Sequence, residues 1–419
     1  MKLDGSEAES LAKTHGTPYY IYDLDAALAH LAELRASLPN VVDVFYCVKA
    51  NGNKKVLEAF KPHVAGLDLS SAGELDMAIA AGYDPKKMSI AGPGKTEEDL
   101  ERCVDRGCGI ISLESVAELG RLVKVCKAKG KKQEVTLRIN PKETPKEFAM
   151  RMGGGASQFG VPEEEAEAAL DQVLAHKDVI DLAGIHIYAG TQCLEERALV
   201  DNMLGSLAIV ARLANEKDLT PRVINLGGGF GIPYFTGQKA VDTPALGRAI
   251  GGKLEEWRSQ NPRFKNTRFI FELGRFLIGR YGAYVARVTE IKETRGKRFV
   301  ILDGGMHHCF PATGNFGQLV KKNYPVKNLT RGGDTEMEAD TNQPQEICGP
   351  LCTPMDSMAR AVKITRAEPG DLIGFFASGA YSYAASPLLF LSHDTPLELL
   401  KLGGSISVAR ERMPATRFW

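Results

Sequence analysis

The chain has 419 residues, of which 44% are hydrophobic and 25% are charged. This composition is typical of a globular protein, and the length favours two domains. The 52 basic residues balance the 52 acidic ones, so the charge indicates neither a nucleic-acid partner nor an anionic membrane surface. No hydrophobic run approaches the ~20 residues that cross a bilayer, and the polar start "MKLDGSEAESLAKTHG" lacks the hydrophobic region of a signal peptide. We therefore expect no nucleic-acid partner, no membrane partner and a cytoplasmic location.

Residues 23–38 have the hydrophobic spacing of an amphipathic helix. After this helix, short β-branched or hydrophobic runs alternate with helical patterns. The predicted strands are residues 43–49, 66–70, 88–91, 109–113, 134–140, 181–188, 222–226 and 268–272. Eight strands that alternate with helices over about 240 residues match the size of a (β/α)8 TIM-type barrel. An open, doubly wound α/β sheet is the alternative that this pattern leaves.

The alternation of strands and helices ends near residue 280. The runs "YGAYVARVTEI", "KRFVILDGG", "GDLIGFF" and "GSISVAR" have strand character without helices between them. We therefore predict a barrel at residues 24–275 and an all-β domain formed by residues 1–23 plus 276–419, in which "PYYIYD" (18–23) adds a strand. The eight cysteines form no CxxC pair, which indicates reduced thiols, and no metal site is predicted.

Polar and charged residues occupy the ends of the predicted barrel strands, where a barrel places its catalytic groups. Lys49 ends the first strand, Asp68 lies at the end of the second, and Glu272 ends the eighth. An unpaired ammonium at the end of a buried strand is energetically costly, so we expect Lys49 to be paired or chemically modified. His186 and Tyr188 lie two residues apart on the sixth strand and project to the same face.

The glycine run "GGGFG" (227–231) follows the seventh predicted strand. Glycines at this place let backbone N–H groups approach an anion, most often phosphate, although such runs also form plain tight turns. Thr191 and Arg275 both suit phosphate oxygens. A lysine that bonds to an aldehyde loses its charge, so pyridoxal phosphate accounts for both the lysine and the glycines. Glu272 then fits opposite the pyridine nitrogen of this cofactor.

Several motifs occur in the order seen in the fold-type III pyridoxal-phosphate decarboxylases, the family of the diaminopimelate, ornithine and arginine decarboxylases. They are "FYCVKAN", "SSAGEL", "LRINP", "GIHIYAGTQ", "INLGGGFG", "FELGR", "DGG", "GPLC" and "SGAY". The resemblance extends over essentially the whole chain. It implies a lyase that uses pyridoxal 5'-phosphate, a (β/α)8 barrel plus a β domain, and a head-to-tail homodimer with active sites at the interface.

The resemblance also implies roles for individual residues. Lys49 would be the Schiff-base lysine, and Glu272 would pair with the pyridine nitrogen. Cys352 of "GPLC" would be donated by the partner subunit and would reprotonate the substrate carbon after carbon dioxide leaves. The other predicted cofactor contacts are Asp68, His186, Tyr188, Thr191, Gly228, Gly229, Gly274, Arg275 and Tyr381 of "SGAY".

Two positions depart from the pattern of the diamino acid decarboxylases. Tyr188 stands where diaminopimelate decarboxylase has a histidine stacked on the cofactor, and another aromatic ring can cover the same face. Thr353 and Pro354 follow Cys352, where the diamino acid enzymes carry an acidic residue for the distal ammonium. Because an unpaired buried charge is costly, free lysine, ornithine and diaminopimelate become poor substrate candidates.

The segment from Arg151 to Gly160, together with "GGGFGIPYF", "GPLCTP" and "FLSHDTPLELL", most resembles a specialised branch of the family. That branch contains the butirosin-pathway decarboxylase of glutamate held on an acyl carrier protein, and siderophore-pathway decarboxylases of amino acid conjugates are related to it. We therefore predict a substrate that is acylated or carrier-bound at its distal end, with Arg151 and Thr353 as substrate-binding residues. Three alternatives stay open: a decarboxylase of free diamino acids, a racemase of related fold, and a catalytically silent regulator. A racemase would be expected to place an arginine, instead of Glu272, against the pyridine nitrogen.

Overall fold

The computed structural model describes residues 1–235, 237–316, 321–332 and 344–418, and it divides the chain into two compact units. The first unit comprises residues 1–28, 233–239 and 277–419, and the second comprises 29–232 and 240–276. The division therefore lies within a few residues of the predicted ones, except at 233–239. This segment belongs to the first unit because the ring of Tyr234 packs on that of Tyr324, with 4.8 Å between centroids.

The second unit is a closed barrel of parallel strands, which we label β1 to β8. They are β1 Val42–Cys47, β2 Gly66–Leu69, β3 Met88–Ile90, β4 Ile110–Leu113, β5 Gln133–Asn140, β6 Ile180–Ile187, β7 Val223–Gly228 and β8 Arg268–Leu273. Each strand pairs in parallel with its chain neighbours, and β1 pairs with β8 to close the circle. The predicted TIM-type barrel is confirmed, since an open doubly wound sheet has two unpaired edges.

Helices connect the barrel strands, and the local sequence defines where they begin and end. The helix Glu97–Arg106 begins with a capping box between Thr96 and Asp99 and ends at Gly107, whose φ of 72° is left-handed. Such ends satisfy backbone groups that the helix itself leaves unpaired. The helices are Leu24–Ser37, Lys54–Phe60, Ala72–Ala80, Glu97–Arg106, Val116–Lys129, Ala166–Ala175, Glu196–Glu216, Thr243–Gln260 and Arg275–Ile278. Within the described ranges, no helix has the length and hydrophobicity needed to cross a membrane.

The first unit is built on one sheet, and its described strands number nine. The main path runs through Ser357–Val362, Gln345–Cys348, Lys297–Leu302, Gly282–Thr294, Tyr19–Asp23, Leu397–Leu402 and Ser405–Arg410, with Leu372–Phe376 and Val326–Asn328 joined at one side. Tyr19–Asp23 pairs antiparallel with Gly282–Thr294 and parallel with Leu397–Leu402. The β domain predicted after the barrel is therefore present, and the strand before the barrel is part of its sheet.

A helix also belongs to the first unit, which the prediction of an all-β domain omitted. Gly5–His15 begins at Asp4, whose side chain accepts a hydrogen bond from the Glu7 N–H. Its buried residues, such as Leu11, join a hydrophobic cluster with Ile21 of the sheet. The polar appearance of this segment reflects the exposed face of the helix, while a narrow hydrophobic face packs on the sheet.

Candidate active site

Lys49 lies immediately beyond the end of β1, in the single turn Val48–Ala50. Its Nζ donates a hydrogen bond to Asp68 Oδ2 on the adjacent strand β2, at 2.8 Å. The lysine side chain is 41% exposed, whereas that of Asp68 is completely buried. The barrel thus holds a reachable amine at the carboxyl end of its strands, oriented by a carboxylate beneath it.

Asp68 depends on the lysine for compensation of its charge. Burial and the neighbouring charge of Glu272 raise the pKa of Asp68, while the Lys49 ammonium acts in the opposite direction. The second carboxylate oxygen of Asp68, Oδ1, is buried and has no hydrogen-bond partner among the described residues. A positive or hydrogen-bonding group at this place is therefore favoured strongly.

Glu272 on β8 is a second buried carboxylate at the same end of the barrel. Asn225 Nδ2 donates to its Oε1 at 2.5 Å, and His186 Nε2 lies 3.6 Å from its Oε2. Burial raises the pKa of Glu272, and the positive charge of Lys49 partly offsets this effect. A buried carboxylate at the carboxyl end of a barrel strand can bind a cationic group such as a protonated ring nitrogen.

The glycine run after β7 needs glycine for steric reasons. A Cβ at Gly228 would lie 2.0 Å from the carbonyl oxygen of Glu272, and one at Gly229 would lie 2.2 Å from that of Gly190. Gly229 also has a φ of +90°, which L side chains rarely adopt. Glycine is therefore required because neighbouring backbone occupies the space of a side chain, and the turn itself carries no side chain that would hinder an anion.

The remaining predicted site residues of the barrel lie around the Lys49 turn and the glycine turn. A Cβ at Gly274 would lie 2.7 Å from that of Ala50, so Gly274 lets the chain pass close to the Lys49 turn. Arg275 begins the short helix that follows β8. Thr191 lies in the two-residue strand Gly190–Thr191, which pairs antiparallel with Met150–Arg151. Arg151 is exposed on this pair, next to the carboxyl ends of the strands.

Tyr188 follows β6 and lies against the glycine turn. A Cβ at Gly227 would lie 2.4 Å from its Cδ2, and the Arg138 guanidinium is 5.8 Å from its ring centroid. The ring is therefore held between a cation and the backbone of the turn. This location is consistent with an aromatic group that covers one face of a bound ring.

The structure thus brings most of the predicted site residues together at one end of the barrel unit. They are Lys49, Asp68, Arg151, His186, Tyr188, Thr191, Gly228, Gly229, Glu272, Gly274 and Arg275. The other three, Cys352, Thr353 and Tyr381, belong to the first unit. Cys352 is exposed, and Tyr381 has a φ of +60°.

The loop that carries Cys352 and Thr353 is held by a buried carboxylate. Asp356 accepts hydrogen bonds from the backbone N–H groups of Met306, at 2.6 Å, and Leu351, at 2.8 Å. The Thr353 carbonyl accepts from the Asp356 N–H at 3.2 Å. Asp356 is thus turned inward, and Cys352 is presented on the outer side of a fixed turn.

Several residues that support the site were not predicted from the sequence. Arg138 Nη1 donates to Glu114 Oε1 at 2.7 Å, and Glu114 also accepts from the N–H groups of Gly92 and Gly160. Asn225 holds Glu272. Asn225 could have been found, because it precedes Gly227 by two residues and faces the same interior as Glu272. Glu114 carried no such signal, since its partners come from three separate segments.

Comparison with known proteins places these residues in a family. The model of the pyridoxal-binding domain of pyridoxal-dependent decarboxylases matches residues 24–279. The L-glutamyl-[BtrI acyl-carrier protein] decarboxylase of Niallia circulans is 36% identical, over 98% of this chain and 95% of that protein. The 2-[(L-alanin-3-ylcarbamoyl)methyl]-2-hydroxybutanedioate decarboxylase of Staphylococcus aureus is 32% identical, over 92% and 94%. Several diaminopimelate decarboxylases match at 27% to 30% identity.

Solved structures show the same fold. The diaminopimelate decarboxylase from Helicobacter pylori, complexed with L-lysine, has a TM-score of 0.85 at 24% identity, and the match covers 98% of both chains. The likeness therefore extends through both units described above.

The residues at the barrel mouth fit the cofactor of this family. Lys49 supplies a reachable amine for its aldehyde, and the glycines after β7 carry no side chain that would hinder its phosphate. Glu272 is a buried carboxylate whose described polar neighbours are Asn225 and His186, so it suits the ring nitrogen. Glu272 also differs from the arginine expected of a racemase. The retained Lys49–Asp68 pair gives no support to a catalytically silent relative. The chain belongs to the pyridoxal-dependent decarboxylases, and it is a lyase that removes carbon dioxide from an amino acid with pyridoxal 5'-phosphate as cofactor.

Proposed function

We propose that the enzyme decarboxylates an L-amino acid whose distal end is acylated, either on a carrier protein or in a small conjugate, and releases the corresponding amine. The observation that carries this proposal is the pair Thr353 and Pro354 after Cys352. A free diamino acid would bring a distal ammonium to this place, and burial of a charge without a partner costs several kcal/mol. A neutral acyl group needs only a hydrogen-bonding neighbour, which Thr353 provides.

The geometry of the loop supports the same choice. Asp356 is the first acidic residue after Cys352 in the sequence. Its two carboxylate oxygens accept backbone hydrogen bonds, and burial raises its pKa. An inward carboxylate that already holds the loop is poorly placed to receive a substrate ammonium. Glutamate-like and conjugated substrates, by contrast, do not require an acidic residue there.

The relatives add independent support. The name of the relative from Niallia circulans describes an L-glutamyl group held on an acyl-carrier protein, and that of the relative from Staphylococcus aureus describes an alanine unit joined at carbon 3 to a carbamoyl group. Neither name describes a free diamino acid. The alternative is a decarboxylase of free diaminopimelate, which the further relatives favour by their names. The absence of an acidic residue at position 353 favours the first class.

In this proposal the barrel residues bind the cofactor and orient the reacting groups. Bound pyridoxal phosphate supplies a conjugated ring that takes up the electron pair left on the α-carbon when carbon dioxide departs. Lys49 would hold the cofactor covalently, and Asp68 would keep the amine oriented after the substrate replaces it. Glu272 would hold a proton on the ring nitrogen by its negative charge, and Tyr188 would cover one face of the ring. The residues proposed to bind the phosphate are Thr191, Gly228, Gly229, Gly274, Arg275 and Tyr381.

Cys352 would complete the reaction by donating its thiol proton to the α-carbon. Its exposure on a fixed turn of the first unit fits a residue that enters the site of another copy of the chain. We therefore propose a homodimer in which Cys352 of the partner subunit acts on the substrate held at Lys49. Loss of Cys352 should then impair formation of the correct amine more than release of carbon dioxide.

A mixing experiment tests this shared site. Lys49→Ala and Cys352→Ala homodimers should each be defective, whereas a mixture that exchanges subunits should recover about a quarter of wild-type activity. This fraction follows because half of the dimers are mixed and each has one intact site in a symmetric head-to-tail dimer. Failure to recover activity, despite subunit exchange shown by tagged copies, would argue for sites complete within one chain.

The substrate class is tested by carbon dioxide release from defined compounds. We expect release from glutamate attached to a carrier protein or from a glutamate amide, and little from free lysine or meso-diaminopimelate. Thr353→Glu should shift the preference toward diaminopimelate, while the matched Thr353→Ser variant should keep the wild-type order. Fast turnover of diaminopimelate by the wild-type enzyme, with no reaction of the acylated compounds, would refute the proposed class.

A further inference from the structure

One layer of the barrel interior consists of polar side chains from alternate strands. Inward-facing residues of alternate strands stack in layers of four in a TIM barrel. Here β2, β4, β6 and β8 contribute Asp68, Ser112, His186 and Glu272. All four are buried, with exposures of 0% to 8%. Burial of polar side chains inside a barrel is energetically costly unless they form hydrogen bonds with one another. The contacts within this layer therefore indicate how each side chain is stabilised.

The contacts run from Ser112 to Glu272 through the histidine. Ser112 Oγ lies 2.8 Å from His186 Nδ1. On the other side of the ring, Nε2 lies 3.6 Å from Glu272 Oε2 and has no hydrogen-bond partner among the described residues. The opposite carboxylate oxygen, Oε1, is held by Asn225. His186 therefore lies between the serine and the carboxylate.

We propose that Ser112 is a positioning residue: its hydroxyl donates to His186 Nδ1, places the single ring proton on Nε2, and so makes His186 present an N–H to Glu272. This inference rests on the assignment of Glu272 to the cofactor ring nitrogen. It adds a second role to His186, which is also a predicted cofactor contact. His186 acts on the cofactor through Glu272.

Electrostatics determines which tautomer is stable. A neutral imidazole has one N–H and one lone pair, and the nitrogen that carries the proton depends on what the other nitrogen accepts. A lone pair on Nε2 would face the negative Oε2, whereas an N–H there is attracted to it. A donated hydrogen bond from the Ser112 hydroxyl occupies the lone pair of Nδ1 and so stabilises the same tautomer from the other side of the ring.

The protonated form of the histidine is excluded by its surroundings. Burial, and then the charge of Arg138, lower the pKa of His186 to about 3, while Glu114 and Asp68 act in the opposite direction. The ring is therefore neutral at physiological pH, and the choice between its two tautomers remains. Ser112 is itself held in place, because its carbonyl accepts a hydrogen bond from Lys95 Nζ at 2.9 Å.

As a consequence, the Glu272 carboxylate has two hydrogen-bond donors in fixed positions. Asn225 occupies one oxygen of Glu272, and the His186 N–H faces the other at a distance that a small rotation of the carboxylate converts into a hydrogen bond. These donors favour the ionised form of Glu272 and fix the orientation of its carboxylate, so that its remaining lone pairs face the cofactor ring. Without the serine hydroxyl, His186 gains access to the other tautomer and the second donor becomes intermittent.

The test uses the holoenzyme labelled with 15N in its histidines. In the wild type, the His186 resonances, identified by their absence in His186→Gln, should show the proton on Nε2. Ser112→Ala should give a mixture of tautomers. It should also lower kcat about tenfold, the factor that corresponds to one hydrogen bond near a charged group. The conservative Ser112→Thr variant, which retains a hydroxyl, should recover most of both signals.

Ser89→Ala is the matched control. Ser89 lies on β3, is 3% exposed, and its hydroxyl is buried without a hydrogen-bond partner among the described residues. Its replacement removes a hydroxyl from the same barrel interior, and the described polar neighbours of His186 are Ser112 and Glu272, so neither the tautomer nor kcat should change. A wild-type proton on Nδ1, or equal effects of Ser112→Ala and Ser89→Ala, would overturn the proposal.

A separate measurement distinguishes failure of this inference from failure of the Glu272 assignment. With pyridoxal phosphate labelled with 15N in its ring, Glu272→Gln should shift the ring nitrogen toward its unprotonated position. If that shift is absent, the role of Glu272 is wrong and the proposal falls with it. If the shift occurs but Ser112→Ala leaves the histidine tautomer unchanged, only the serine's role is refuted.

Discussion

Replacement of Arg138 by Met should destabilise the barrel far more than replacement of an exposed arginine. The side chains of Arg138 and Glu114 are 6% and 2% exposed, and their closest atoms are 2.7 Å apart. The pKa of Glu114 reflects this environment: burial alone raises it, but Arg138, Lys95 and backbone donors outweigh burial, and the net pKa lies below its usual range. Glu114 is therefore ionised inside the protein and depends on its cation.

The size of the effect follows from the charge left behind. Removal of one partner of a buried pair typically costs about 3 to 5 kcal/mol, because an uncompensated charge remains. Arg222 is the control, since its pairs with Glu134 and Asp181 lie at the surface and its side chain is 52% exposed. Surface pairs contribute about 0 to 1 kcal/mol, so Arg222→Met should have little effect.

Glu114→Gln in the Arg138→Met background should restore part of the stability. The amide oxygen can still accept from the N–H of Gly92 or Gly160, and the carboxylate charge that Arg138 compensated is removed. The double variant should therefore be more stable than Arg138→Met alone by about 2 kcal/mol, the difference between an unpaired buried charge and an imperfect hydrogen bond.

Urea unfolding of the cofactor-free protein measures these differences. Trp257 lies on the barrel helix Thr243–Gln260, and the chain's only other tryptophan is Trp419. In a Trp419→Phe background, fluorescence therefore reports on the barrel. Agreement with circular dichroism checks that one transition is observed. Equal destabilisation by Arg138→Met and Arg222→Met, or no recovery in the double variant, would refute the reasoning.

Three further predictions concern the site itself. Lys49→Ala should lose the visible absorbance of the lysine-bound cofactor and lower the rate of carbon dioxide release by more than about a hundredfold, as expected for a positioned acid–base group; unchanged turnover would contradict its role. Gly228→Ala should weaken cofactor binding, measured by titration, because its Cβ would lie 2.0 Å from a backbone oxygen. The control Gly120→Ala, with nothing within 4 Å, should bind normally and be stabilised by up to about 1 kcal/mol. Burial lowers the pKa of His186 to about 3, so it contributes stability above its unfolded pKa near 6.5 that is lost as the pH falls toward 3, by up to about 1.4 kcal/mol per pH unit. His186→Gln should flatten this part of an acid-unfolding curve, and an unchanged slope would show that His186 does not titrate in this range.

The periodicity of the sequence was sufficient to predict the barrel strands. Each predicted strand agrees with the observed one to within two residues at either end, because β-branched runs and helical patterns alternate without interruption. The sequence was less informative where a short segment has two faces. Gly5–His15 looks polar, yet Leu11 and its neighbours pack on the sheet. Residues 233–239 follow a barrel strand but pack in the other unit, because Tyr234 finds an aromatic partner there.

The sequence by itself determined the chemistry of the enzyme. Lys49, Glu272 and the glycines of 227–231 stand at strand ends, and parallel strands of a barrel bring their carboxyl ends to one face whatever the connecting loops do. Only the tertiary structure decided which residues support them. Ser112 reaches Glu272 through His186 because β4, β6 and β8 are alternate strands of a closed circle. No local pattern reveals such a contact, since it exists only after the barrel has closed and burial has forced its polar groups to satisfy one another.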